Sequence, residues 1–87
     1  EEVEALVADL GDAVAWTAEG RLPVDGSLAH WEERLRNHGF LRVHRNALVR
    51  LEAIRELSAD DELVLPTGRL AVSRRRLEEV RRALGLA

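Results

Sequence analysis

Phe40-Leu41-Arg42-Val43-His44-Arg45-Asn46-Ala47-Leu48-Val49-Arg50-Leu51-Glu52-Ala53-Ile54 and, further on, Thr67-Gly68-Arg69-Leu70-Ala71-Val72-Ser73-Arg74-Arg75 decide how this chain folds. Each is a short apolar run that ends in a polar cluster rich in arginine. Strand-length apolar runs broken by polar turns point to small antiparallel sheets. Arginine clusters at the ends of such elements suit the recognition of a polyanion. Residues 40–43 read as a strand. Arg42 and His44 alternate with Leu41 and Val43, so one face is polar, with Phe40 sharing it at the start. Residues 44–48 read as a turn or a single helical turn carrying Arg45 and Asn46.

Working outward, residues 53–57 and 62–65 are expected to form a hairpin around Asp60-Asp61. Pro66-Thr67-Gly68 is the next turn and residues 69–72 the last strand. Residues 73–84 read as a closing helix capped by Ser73, with Leu77, Val80 and Leu84 on one face and Gly85 just beyond. Upstream, residues 3–7 and 13–16 are strands separated by Asp9-Leu10-Gly11-Asp12. Residues 21–24 make a third, which Pro23 confines to an edge because it has no amide to donate. Residues 27–37 are the clearest helix: Ser27 caps it, Leu28, Trp31 and Leu35 form its apolar stripe, and Asn37-His38-Gly39 offers a left-handed stop. The expected fold is therefore mostly β (α+β), with short antiparallel sheets, one central helix and a short C-terminal helix.

Composition bounds the function. Eighty-seven residues make a single small domain, spanning 1–87, that hides only about 60–65% of the surface its unfolded chain exposes. With 46% hydrophobic and 33% charged residues, it has the make-up of a soluble globular fold. No cysteine is present, which excludes disulfides, thiolate catalysis and cysteine zinc sites. No apolar stretch reaches the length of a membrane span and no signal peptide is visible, so a cytoplasmic location is expected. The abrupt start at Glu1-Glu2-Val3 suggests a piece of a longer protein. His30, His38 and His44 form no ligand pattern, and no catalytic triad or phosphate loop stands out; neither enzyme activity nor a cofactor is expected.

All thirteen basic side chains are arginine, and their placement is uneven. Residues 1–33 hold nine acids and one arginine, a net of −8, whereas residues 34–87 hold twelve arginines and seven acids, a net of +5. The overall charge of −3 opposes nucleic-acid binding if taken whole, but binding depends on the charge of one face. Arg74, Arg75 and Arg76 fall where a helix N-terminus disfavours positive charge by about 0.3–1 kcal/mol each. Three arginines against that preference suggest an external anion; the alternative is a solvated run paired with Glu78 and Glu79. Arg45 offers a fork that fits guanine O6 and N7, and Asn46 can hold adenine or a phosphate. Arg42 equally fits a structural role paired with a carboxylate, and His44 fits a histidine bonded to the backbone of its own turn.

Phe40, Arg42, Val43, His44, Arg45, Asn46, Leu48, Val49 and Ile54, followed by Gly68, Leu70, Val72, Ser73 and Arg74, resemble the two central motifs of the LytTR family. That family supplies the DNA-binding output domain of many bacterial response regulators. A looser likeness runs through Gly11-Asp12, Gly26, Ser27, Leu28, Glu32 and Leu35. The resemblance implies an elongated stack of antiparallel sheets whose loops, rather than a recognition helix, enter successive major grooves of double-stranded DNA. It implies base-reading roles for Arg45 and Arg75, and phosphate or positioning roles for Arg42, Asn46, Ser73, Arg74 and Arg76. Paired direct repeats bound by a second copy of the chain, and an N-terminal receiver or sensor domain of a two-component system, are implied as partners. Two departures stand out. The loop at Asp12-Ala13 lacks the basic or aromatic side chain that the family often carries, and Arg50 replaces the usual asparagine. The rival expectation is a protein-interaction module without DNA affinity, using Trp31 or an exposed edge strand.

Overall fold

The computed structural model describes residues 2–86. Three strands open the chain: β1 (Val3–Asp9), β2 (Asp12–Thr17) and β3 (Gly20–Val24). Helix α1 (Leu28–Arg34) follows, then β4 (Phe40–His44) and β5 (Ala47–Arg50). After a 3-10 turn at Leu51–Ala53 come β6 (Glu56–Leu57), β7 (Glu62–Leu65) and β8 (Gly68–Ala71). A second 3-10 turn, Arg74–Arg76, leads into α2 (Leu77–Ala83). β1 to β5 form one antiparallel sheet in the order β3-β2-β1-β5-β4, and β6-β7-β8 form a second. The molecule measures 34 × 24 × 23 Å.

The five-stranded sheet is the middle layer of the stack, because the period-2 alternation of its strands gives it two apolar faces. Leu6, Ala13, Ala15 and Leu48 face α1 and meet Leu28, Trp31 and Leu35. Ala5, Trp16, Val43, Ala47 and Val49 face the other way, against Leu63 and Leu65 of the second sheet, Val72, and Val80 of α2. Leu48, Leu63, Val43, Val49 and Val80 are fully buried, each contributing about 1.5–3 kcal/mol of hydrophobic stabilisation. A register shift between Val3 and Ala5 turns Glu4 toward the second sheet, where its Oε1 accepts from Thr67 N (3.2 Å) and Thr67 Oγ1 (2.8 Å). Arg21 fastens the same corner. Its guanidinium lies 3.7 Å from the centre of the Trp16 ring and donates to Thr67 O at 2.9 Å.

Much of the expected order is present, including the edge position of Pro23 and the Ser27 cap, whose Oγ accepts from His30 N at 3.1 Å. Three expectations need correction. The turn or single helical turn expected over residues 44–48 is a tight turn at Arg45-Asn46 only; Ala47 and Leu48 already belong to β5, a central strand between β1 and β4. Both its faces are covered, so it carries an unbroken Ala-Leu-Val run without the alternation that marks a half-exposed strand. Helix α1 stops at Arg34 rather than reaching Asn37, because the following turns tighten (His38 N to Leu35 O, 3.0 Å) and Asn37 takes φ +69°. The closing helix is divided. Arg74–Arg76 form a 3-10 turn rather than the first turn of an α-helix, and Ser73 makes no side-chain capping bond. Ser73 N is instead committed to Val43 O (2.9 Å), which pins the start of the segment against β4.

Candidate nucleic-acid interface

The turn between β4 and β5 is built by three interactions. The His44 ring accepts at Nδ1 from Asn46 N (3.1 Å), closing the turn on itself. Asn46 O accepts from Ala8 N (2.9 Å), tying the turn to the end of β1 beside the β1–β2 hairpin tip. Arg42 reaches beneath it: Nε donates to His44 O (3.1 Å), Nη2 to Arg45 O (2.7 Å) and Nη1 to Glu32 of α1. With its own charge met by a carboxylate and two carbonyls spanned by its fork, Arg42 holds the turn from inside. Its side chain is only 17% exposed.

The Ser73 N to Val43 O bond brings the second arginine cluster alongside this turn. His44, Arg45, Ser73, Arg74, Arg75 and Arg76 line one open cleft of about 470 Å³. Arg45, Arg74 and Arg75 are exposed and Arg76 is half-buried. Among the described residues, the ion pairs are Arg36–Glu33, Arg42–Glu32 and Arg69–Glu62, so none of the four cleft arginines is neutralised by a carboxylate. The alternative pairing of Arg74 and Arg75 with Glu78 and Glu79 is not formed. Ser73 Oγ is buried at the floor of the cleft and has no hydrogen-bond partner. Four uncompensated guanidinium groups and an unspent hydroxyl make an anion-binding surface. Two separate bends of the chain thus present arginine to one place.

The family model for the LytTr DNA-binding domain matches residues 1–85. The chain belongs to the LytTR family. Its fold agrees. The structure of the LytTr DNA-binding domain of a Bacillus cereus protein, assigned as a methyl-accepting/DNA response regulator, superposes with a TM-score of 0.82 at 26% identity. That match covers 95% of this chain and 81% of the other. No curated protein sequence matches. A LytTR domain is a DNA-binding domain used in regulation. No helix among the described residues is long and apolar enough to cross a membrane.

Of the residues singled out in the sequence, Arg45, Ser73, Arg74, Arg75 and Arg76 share the cleft; Asn46 is exposed next to Arg45, and Arg42 lies behind the turn against α1. The β1–β2 hairpin tip beside Asn46 presents Leu10, 99% exposed with φ +50°, while Asp12 Oδ1 is occupied by Gly26 N at 3.0 Å. Arg50 is explained by packing. It donates through Nε to Val3 O (2.8 Å) and lies over the Phe40 ring at 4.7 Å, linking the two neighbours of β5, the start of β1 and the start of β4. Trp31 is half-buried and donates to Asp25 O (2.7 Å), which staples α1 to the loop before it. On the outer face of α1, the hydrogen bond and charge of Arg36 hold the Glu33 carboxyl below its usual range. Sequence reasoning missed Glu32. The requirement of Arg42 for a carboxylate was legible, but which acid supplies it is set by the packing of α1 on β4.

Proposed function

We propose that this domain binds double-stranded DNA sequence-specifically and thereby regulates transcription, as the output half of a longer cytoplasmic regulator in a bacterial two-component system. The observation that carries the reading is the cleft where four arginines from two turns stand without carboxylate partners among the described residues. Arg45 and Arg75 read base edges, through the bidentate geometry that guanidinium groups make with guanine. Arg74, Arg76, Ser73 and Asn46 bind phosphates, and Arg42 positions the reading turn. The two arginine turns share one cleft and so meet the duplex side by side; entry of loops into successive major grooves then requires a further loop of the domain to reach the second groove. Two copies occupy paired direct repeats, and residues 1–87 act as one unit downstream of a receiver or sensor domain. The response regulator that supplies the structural match supports that last point.

The test is selection from a random duplex pool with the purified domain, followed by sequencing. Enrichment of two short repeats spaced by about one or two helical turns is expected. On the selected site, Arg45→Ala and Arg75→Ala should each cost about 1–3 kcal/mol and relax the preference at one position. A pool that stays random, from a protein that also fails to hold duplex DNA at low salt, would instead favour a protein-interaction module.

A further inference from the structure

Among the described residues, Glu32 is the carboxylate hydrogen-bonded to Arg42 beneath the Arg45 turn. It sits on α1, carries a negative charge, and lines a cleft of about 420 Å³ together with Arg42, Arg76 and Glu79. Arg76 belongs to this cleft and to the arginine-lined one. Charge arithmetic alone says that an acid so close to the cationic surface opposes a polyanion. The hydrogen bonds say otherwise. Glu32 Oε1 receives Nη1 of Arg42, while the remaining edge of the same guanidinium grips the carbonyls of His44 and Arg45. A guanidinium is planar and rigid, so fixing one edge orients the other.

We infer that Glu32 is a positioning residue for DNA recognition, acting through Arg42 to hold the backbone of Arg45 in its reading geometry. The inference rests on the proposed meeting of the Arg45 turn with base edges. Without the carboxylate, the Arg42 fork is free to swing toward solvent or toward a phosphate. The two carbonyls then lose their shared donor, and the turn relaxes. Random-sequence affinity, which depends on charge, gains from the loss of an acid. Site-specific affinity, which depends on where the Arg45 side chain starts from, falls. Opposite signs on the two kinds of DNA distinguish positioning from both a bulk charge effect and a general loss of folding.

The experiment measures binding of Glu32→Ala and Glu32→Gln to the selected site and to a random duplex at one salt concentration, with thermal melts of each variant. Glu32→Ala should lose about tenfold on the selected site and bind random duplex as well as or better than the parent. Glu32→Gln keeps an oxygen that accepts from Arg42, so it should recover most of the discrimination despite lacking the charge. A rise on both DNAs for Glu32→Ala overturns the inference, as does an equal fall on both or an unchanged ratio with a lowered melting temperature. Should Glu32→Ala fail to fold, Glu32→Asp, which keeps the charge but is one methylene short of Arg42, takes its place: a loss on the selected site with random binding unchanged upholds the inference, and unchanged discrimination overturns it. If the parent domain holds no duplex, the proposed function itself falls; if the parent discriminates and only the Glu32 variants misbehave, the fault lies with this inference.

Discussion

Salt dependence gives the sharpest reading of the cleft. Four guanidinium groups, from Arg45, Arg74, Arg75 and Arg76, stand there without acidic partners among the described residues, whereas Arg42 is paired with Glu32. On a random duplex Arg45 and Arg75 find no cognate base and rest on phosphates beside Arg74 and Arg76. Each phosphate neutralised releases bound counterions and adds about −0.9 to the slope of log affinity against log salt, so four contacts give a slope of about −3.6 per copy. Raising salt from about 50 to about 200 mM should then weaken binding by about 150-fold. Replacing Arg74 and Arg76 together by alanine should halve the slope to about −1.8 and reduce the same loss to about 12-fold. Fluorescence anisotropy with a labelled random duplex at several salt concentrations measures both. A parent slope shallower than about −1, or a double variant whose slope equals the parent's, would refute the argument, because the cleft would then not be where phosphates sit.

Other predictions concern the scaffold. Arg50→Leu should cost about 1–2 kcal/mol in urea denaturation, since it removes the bond to Val3 O and the stack on Phe40, yet leave the salt slope of DNA binding unchanged. Leu10→Asn should raise the urea midpoint by the equivalent of about 0.5–1 kcal/mol, because a leucine held at φ +50° in a hairpin tip is strained and asparagine tolerates that conformation. Gly68→Ala should destabilise by about 1–3 kcal/mol in the same assay. Gly68 sits at φ +152°, and a Cβ there would lie 2.8 Å from Arg21 Nη2 and 3.1 Å from the Trp16 ring.

The parts of this fold that were legible in the sequence are those decided by local chemistry. Ser27 at a helix start, Pro23 at a sheet edge and Gly11 in a hairpin tip each act within a few residues of themselves, and each lies where its chemistry places it. β5 was illegible for the opposite reason. An interior strand has no solvent face, so its Ala-Leu-Val run carries no period to read. The segment Arg74–Arg76 is anchored next to Val43, thirty residues earlier, by the Ser73 amide, a pairing that no local pattern encodes. The candidate site divides the same way. That arginines cluster at two bends is visible in the chain, but that Arg42 turns inward while Arg45 turns outward depends on which side of β4 the helix covers.

The Arg45 turn leads into β5, which is flanked on both sides by hydrogen-bonded neighbours and covered above and below. Its amides should therefore be among the slowest in the molecule to exchange with solvent, right up to the edge of the cleft. Little chain entropy is left to surrender when a duplex arrives, so the heat-capacity signature of association should be small, reflecting contact formation without coupled folding. On the proposed role, operator preference would change by swapping side chains on a stationary perch.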